Sequence, residues 1–118
     1  MATIKSYTSL EQSKKLAEIL PLESADMVYV NYIDLKGDEH YVIDFRNNQP
    51  FYEYDINAWS LAALLSILDF PSLTQNKEDE WEVCVFDHDN DNYIEKTADN
   101  PVDACVAMIE KLHELNLL

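Results

Sequence analysis

Glycine is almost absent from this sequence, which has one in 118 residues, at Gly37. Turns that need a left-handed backbone must therefore use Asn or Asp, the side chains that best tolerate that conformation after glycine. The stretches 46–50 and 89–92 supply such residues together with a proline. Cysteine is also scarce, and both Cys84 and Cys105 lie within apolar runs. Since no export signal is visible, we expect two buried free thiols and no disulfide framework.

Long apolar runs are missing as well. The longest, Ala58 to Leu68, contains Ser60 and Ser66 and falls well short of the ~20 residues that a membrane-spanning helix needs. The N-terminal residues lack the apolar segment and small-residue cleavage site of a secretory signal. We therefore expect a cytoplasmic protein that does not associate with a membrane.

Positively charged residues are scarce as well. The chain has 8 Lys and Arg against 23 Asp and Glu, a formal net charge of −15. Ten of the acids and only one lysine fall between Glu78 and Asp103. Such a concentration repels a nucleic-acid backbone or an anionic membrane and attracts a cation or a basic protein. The expected partner is a protein with a basic surface, and direct nucleic-acid binding is not expected.

Length and composition favour a single α+β domain over residues 1–118. With 47% hydrophobic residues, a chain of this size forms a core without metal or disulfide support. The predicted order of elements is α-β-β-β-α-β-β-α. Because the strands come in hairpin-connected groups, we expect an antiparallel sheet of about five strands, with three helices on one or both faces.

Strong capping signals mark the first and last helices. A capping box formed by Thr8 and Glu11 predicts a helix that runs to about Leu20, where a proline stops it. The last helix begins at Asn100-Pro101, with Asn at the cap and Pro at the first helical position. Apolar residues at three- and four-residue steps continue it to the C-terminus.

The middle helix is predicted over Ala58–Leu68, after a cap at Asp55 or Asn57. It is apolar nearly all round, so both of its faces should be covered and it should form the centre of the core. The segment Ser72–Asp79 that follows is predicted to be a polar connection.

Alternating apolar and polar residues predict five strands. The most secure pair is the hairpin around Gly37, because aromatic and β-branched residues flank the turn. The predicted strands are 27–33, 40–45, 51–54, 81–86 and 93–96.

An acidic turn between the last two strands resembles the start of an EF-hand calcium loop. In that loop the sixth residue is Gly and the twelfth a bidentate Glu, whereas here they are Asn92 and Ala98. We interpret the turn as a solvated hairpin connection. The alternative is a weak cation site formed by Asp87, Asp89 and Asp91.

No catalytic constellation or cofactor site is predicted. His40, His88 and His113 are scattered and no paired-cysteine spacing exists, so a zinc site is not expected. Glycine-rich phosphate loops and nucleophile elbows are absent too. The chain is therefore expected to act by binding rather than by catalysis, and it carries no signal for its oligomeric state.

Acids and tyrosines are the candidate partner-binding residues. Tyrosines are concentrated in the first half of the chain, and strand alternation leaves several of them facing solvent. A tyrosine-bearing surface beside acids is a plausible protein-binding site. The candidates are Glu80, Glu82, Asp87, Asp89, Asp91, Tyr52 and Tyr54.

Three short segments of the sequence resemble those of a known group of proteins. They are Leu16-Ala17-Glu18-Ile19-Leu20-Pro21, Trp59-Ser60-Leu61-Ala62-Ala63-Leu64-Leu65 and Asn100-Pro101-Val102-Asp103-Ala104-Cys105. In this order they resemble small uncharacterised proteins encoded by phages and mobile elements of gut anaerobic bacteria. The resemblance implies a bacterial cytoplasm and an accessory role, and it transfers no site residue.

Three functional hypotheses follow. The leading one is a non-enzymatic accessory protein that binds another protein through the acidic 78–103 region or the tyrosine-bearing sheet. The second is an inhibitor whose acids imitate a nucleic-acid backbone and occupy a nuclease or restriction enzyme. The third is a divalent-metal-dependent hydrolase that uses Asp87, Asp89 and Asp91.

Overall fold

The computed structural model describes residues 5–48 and 51–118. Within these ranges the elements follow the order α-β-β-β-α-β-β-β-α, and the strands form two antiparallel three-stranded sheets. The helices are α1 (Leu10–Leu16), α2 (Leu61–Ile67) and α3 (Pro101–Glu114). The strands are β1 (Met27–Ile33), β2 (Glu39–Phe45), β3 (Ile56–Ala58), β4 (Ser72–Gln75), β5 (Trp81–Asp87) and β6 (Asn92–Ala98).

The α+β class and the three helices are confirmed, but the arrangement of strands differs from the expected single sheet. The strand orders are β2-β1-β3 in the first sheet and β4-β5-β6 in the second. The additional strand is β4, because the first half of the predicted polar connection pairs with β5 and places Leu73 opposite Val83. Leu73 packs against the core, which holds this otherwise polar segment in an extended conformation.

The predicted first hairpin is confirmed. Strands β1 and β2 pair in register from Met27 opposite Phe45 to Ile33 opposite Glu39. Gly37 lies in the turn at φ 87, where a side chain would be strained. The Asp34 carboxylate accepts hydrogen bonds from two backbone N–H groups of the same turn.

The third strand lies later in the chain than predicted. Ile56–Ala58 pairs with β1, whereas the predicted 51–54 segment is irregular. The cause is Asp55, which is buried and accepts hydrogen bonds from the backbone N–H groups of Tyr52 and Asn31. Its carboxylate occupies the position at the β1 edge where a further strand residue would pair, so the ladder begins at Ile56.

The cap of α1 is one residue later than predicted, and the helix is shorter. Ser9 and Gln12 form the capping box, rather than Thr8 and Glu11. The Thr8 hydroxyl is buried and accepts instead from the backbone N–H of Trp59. The helix ends at Leu16, and turns lead from there to Leu20.

The predicted start of α2 is also wrong. The helix begins at Leu61 after Ser60, whose hydroxyl accepts from the Ala63 N–H, while Ala58 and Trp59 are extended and buried. Trp59 is held in that position by two hydrogen bonds with Thr8: its C=O accepts from the Thr8 N–H, and its N–H donates to the Thr8 hydroxyl. Tertiary contacts therefore displace the helix start from the residue that local sequence favours.

The core is centred on α3 rather than on α2. Eight of the residues of α3 are buried, compared with two in α2, where three further apolar residues are half-buried and Ala62 is exposed. The predicted start of α3 is confirmed: Asn100 caps the helix by accepting from the Asp103 N–H, and Pro101 occupies its first turn. Strand β5 contributes one face to the same core, since Val83 and Val85 are buried against α3.

Candidate functional site

The acidic run of the sequence is divided in space by β5. Glu80 and Glu82 lie at the start of this strand, and Asp87 and Asp89 lie at its end. A seven-residue strand separates them by roughly 20 Å. The acidic candidates therefore belong to two separate parts of the surface.

Asp87 is a structural residue of the turn that joins β5 and β6. It is only 6% exposed, and its carboxylate accepts from the N–H groups of Asp89 and Asn90 and from the Asn90 side-chain amide. These hydrogen bonds, led by the one from the Asn90 side chain, lower the pKa of Asp87 below its ordinary value. Asp91 completes the turn with a left-handed backbone, φ 53. The turn is built by Asp and Asn, as the scarcity of glycine requires.

The three aspartates of this turn do not gather around one point. Asp89 and Asp91 are exposed, while the carboxylate of Asp87 is directed into the turn by its three hydrogen bonds. Across the described residues, no group of three or more His, Cys, Asp or Glu side chains is placed to hold a metal ion.

Aromatic rings lie directly beside the acidic turn. The Phe86 ring centroid is 4.8 Å from that of His88 and 5.0 Å from that of Tyr93, both in edge-to-face geometry. Phe86 and Tyr93 are opposite each other in the β5–β6 ladder, on the face of the sheet that points away from α3. Tyr93 is 69% exposed. The rings thus form a cluster that remains open to solvent.

A cavity of about 260 Å³ opens at the same end of the sheet. Its polar wall contains the side of the turn and Asp69, which follows α2, and the His88 Nε2 is 4.0 Å from the Asp69 carboxylate. Its apolar wall is formed by residues at the ends of α2 and α3 and by the C-terminal leucines. The lining residues are Ile67, Leu68, Asp69, Val85, Phe86, Asp87, His88, Asp89, Leu112, Leu117 and Leu118.

Phe70 stands next to this cavity in an unusual state. Its side chain is 93% exposed, and its backbone has φ 46, the left-handed region that disfavours residues with a side chain. Helix α2 has already ended, because Leu68 is extended, and Pro71 disfavours a helical conformation at Phe70. Neither Phe70 nor Asp69 nor His88 was among the predicted site residues.

We define the acidic–aromatic surface as the residues of this end of the molecule that combine charge with exposed ring area. It brings Asp89, a predicted candidate, together with groups that the sequence did not indicate. Its members are Asp69, Phe70, Phe86, His88, Asp89 and Tyr93.

The predicted tyrosine candidates are exposed but lie elsewhere. Tyr52 and Tyr54 are on the segment that leads into β3, at the edge of the first sheet, and more than half of each side chain is exposed. A second cavity, of about 280 Å³, lies beside this segment between Lys14 and Phe51. Asn57 also lines it, and the buried Oδ1 of this residue has no hydrogen-bond donor among the described residues.

Both cysteines are free thiols of low reactivity. Burial raises the pKa of Cys105 to about 11. Burial and the nearby Glu95 and Glu82 carboxylates raise the pKa of Cys84. A raised pKa disfavours the thiolate, which is the nucleophilic form, so neither residue is suited to covalent catalysis.

Comparison with known proteins identifies no relative of this chain. No protein-family model matches the chain, and neither a curated protein nor a solved structure matches it. In the part of the chain that the structure describes, no helix is long and apolar enough to cross a membrane. The resemblance to small proteins of phages and mobile elements therefore stays a prediction.

Proposed function

We propose that this chain is a non-enzymatic accessory protein that binds another protein of basic character through the acidic–aromatic surface. The observation that carries the proposal is Phe70, a nearly fully exposed ring on a strained backbone, which directly follows the cavity residue Asp69 in the chain. Aromatic residues, Phe among them, are enriched at protein interfaces relative to the rest of the protein surface. Strained residues occur preferentially at sites that are under functional constraint.

The cavity beside Phe70 suits a lysine or arginine side chain of the partner. Such a side chain has an apolar stem and a charged end, and it buries the stem against apolar surface. The cavity provides apolar walls from Leu112 and Leu118, and carboxylates at Asp69 and Asp89. The partner's charge would thus meet acids while its stem covers leucines. Neither of the other two hypotheses, the nucleic-acid mimic and the hydrolase, is favoured by an observation on the described residues.

Affinity capture with matched variants tests the proposal. The protein is immobilised and exposed to a lysate of anaerobic gut bacteria, the source that the resemblance implies, at low salt and at about 0.5 M salt. We expect the captured protein to be basic, to be released by salt, and to be lost when the bait carries Phe70→Ala or Tyr93→Ala. The control bait carries Tyr54→Ala, which removes a ring as exposed as that of Tyr93 from the segment that leads into β3. Capture that survives both test variants, or that depends on Tyr54 instead, contradicts the proposal.

A further inference from the structure

The outer edge of β2 is open in the described molecule. In the order β2-β1-β3, β2 is an edge strand of seven residues, and no described strand pairs with its outer side. At the two ends of the β1–β2 ladder, the Asp34 N–H donates to the Asp38 C=O and the Arg46 N–H donates to the Asp26 C=O. The backbone N–H and C=O groups of Asp38 and Arg46 therefore point toward β1. Because these groups alternate along an antiparallel strand, the N–H and C=O groups of Glu39, Tyr41 and Ile43 point outward. An edge of this kind is a template for another strand.

The centre of β2 carries no side chain that protects this edge, whereas at its end the Asp44 carboxylate accepts from the Phe45 N–H. Val42, the central residue, is 50% exposed, and Phe45 at the end of the strand is exposed as well. The other seven-residue edge strand, β6, has the charged residue Glu95 at its centre, which would face its own copy in a symmetric pair. Strand β4 has only four residues. The edge of β2 is therefore the one best suited to pair with an identical strand.

We propose that two copies of this chain associate by antiparallel pairing of β2 with β2 of the second copy, about a two-fold axis at Val42. All seven residues overlap in this register. Tyr41 lies opposite Ile43 of the second copy, and both have outward N–H and C=O groups, so they form the hydrogen-bonded pairs. Val42 lies opposite Val42 of the second copy at the non-hydrogen-bonded position. Cross-strand pairs of an aromatic with a β-branched residue, and of two β-branched residues, stabilise sheets. The β2-β1-β3 sheet of one copy and that of the second copy together form one sheet of six strands.

Charge opposes this association and gives it a distinctive salt dependence. Each copy carries −15, and residues 34–46 contain four acids against two bases. Two such hairpins repel each other at low ionic strength, and salt screens the repulsion over about 8–10 Å. We expect sedimentation velocity to show a dimer that grows with protein concentration and becomes stronger as salt is added, the opposite of the salt response expected for capture of a basic partner.

Cysteine cross-linking tests the register. In a chain that carries Cys84→Ser, the variant Val42→Cys places two thiols opposite each other at a Cα separation of about 4.5 Å, which suits a disulfide. His40→Cys is the matched control, because in the same register the two introduced residues are offset by four positions, roughly 13 Å. Under mild oxidation with oxidised glutathione, we expect a covalent dimer from Val42→Cys and none from His40→Cys.

A pair of charge variants tests the edge independently of the disulfide. Val42→Glu brings two carboxylates together on the axis and is expected to abolish the dimer. Ile33→Glu introduces the same charge on the same hairpin, but on the central strand β1, and is expected to leave the dimer in place. A chain that remains monomeric at about 1 mM overturns the proposal. A dimer that ignores Val42→Glu, or that cross-links equally through His40→Cys, overturns it as well.

Discussion

The ammonium nitrogen of Lys5 lies 2.8 Å from Oδ1 of Asp103, joining residues that are 98 positions apart in the sequence. The same carboxylate accepts from the side-chain amides of Gln12 and Asn100, each at 2.7 Å. Partial burial by itself raises the pKa of Asp103, but the hydrogen bonds from Lys5, Gln12 and Asn100 outweigh it and leave the pKa below its ordinary value. One carboxylate thus connects the N-terminal segment, α1 and the start of α3.

We expect Asp103→Asn to destabilise the protein in a pH-dependent way. Because the pKa is lowered in the folded state, the stabilisation is complete above the unfolded-state pKa near 4 and is lost as pH falls through the folded-state pKa. At neutral pH the loss in free energy of unfolding should be about 1 kcal/mol, reduced from the usual value of a charge-assisted hydrogen bond because of solvent screening. Urea unfolding of both proteins across the acidic range measures this difference.

The control for Asp103 is Glu110→Gln, which removes an exposed carboxylate from the same helix. It should change the free energy of unfolding by less than about 0.5 kcal/mol. If the difference between the wild-type protein and Asp103→Asn stayed constant as the carboxylate is protonated, the hydrogen bonds would not depend on its charge.

Thr8→Val is expected to cost about 1–3 kcal/mol, because it leaves the buried backbone N–H of Trp59 without its acceptor while keeping the side-chain volume nearly unchanged. It also removes one of the two partners of the Ser13 hydroxyl, at 2.8 Å, and leaves the hydrogen bond from that hydroxyl to the Ser9 carbonyl. Chemical denaturation followed by tryptophan fluorescence measures the change. Thr97→Val, at an exposed strand position, is the matched control and should be close to neutral. Equal effects of the two substitutions would show that the Thr8 hydroxyl has no special role.

Two substitutions at Phe70 separate backbone strain from loss of the ring. Both Phe70→Gly and Phe70→Ala remove an exposed side chain, but only Gly adopts the left-handed conformation at this position without strain. We expect the Gly variant to be more stable than the Ala variant by about 1 kcal/mol. Thermal unfolding of the two variants provides the comparison. Identical stabilities would mean that the left-handed backbone is not maintained in solution.

Added salt should raise the melting temperature. The chain has 23 acids, whereas the described residues form four ion pairs, two of which involve histidine. Screening of the remaining repulsion by about 0.5 M sodium chloride should raise Tm by about 4 °C, which corresponds to roughly 1 kcal/mol. Calorimetry at constant low protein concentration makes the measurement. An unchanged or lower Tm would show that the acids are too far apart to repel each other.

Both thiols should react more slowly than the thiol of an exposed cysteine. With its pKa raised to about 11, Cys105 is only about a thousandth thiolate at pH 8, and it is fully buried. We expect alkylation of the native protein to leave Cys105 unmodified and to label Cys84 slowly, with both labelled after unfolding. Mass spectrometry of the digested protein resolves the two sites. Rapid labelling of Cys105 in the native state would indicate local opening of α3.

Two features that depend only on local residues were predicted correctly. The turn at Gly37 and the helix start at Asn100-Pro101 need only residues close in sequence, and both are confirmed. The start of α2 and the position of β3 were wrong because Trp59 and Asp55 are held by contacts with Thr8 and Asn31. Partners so far away in the sequence leave no local pattern.

The candidate site was predictable only in part, for a related reason. The local excess of acids was evident from the sequence. That β5 separates Glu80 and Glu82 from Asp87 and Asp89 depends on the geometry of the strand. The exposure of Phe70 gives no signal in the sequence, because a phenylalanine after an apolar helix ordinarily faces the core. Likewise, the exposure of Tyr52 and Tyr54 was anticipated, but not that they lie at the edge of the other sheet.

The dominance of α3 in the core has a consequence for biosynthesis. This helix contributes Val102, Cys105, Met108 and Ile109 to the interior, and it follows every other described element in the chain. While the ribosome is still making it, the faces of α2 and β5 that it will cover stay in contact with water. The native packing of these faces therefore waits until α3 has been made, and a nascent chain stalled before Pro101 should be a substrate for chaperones.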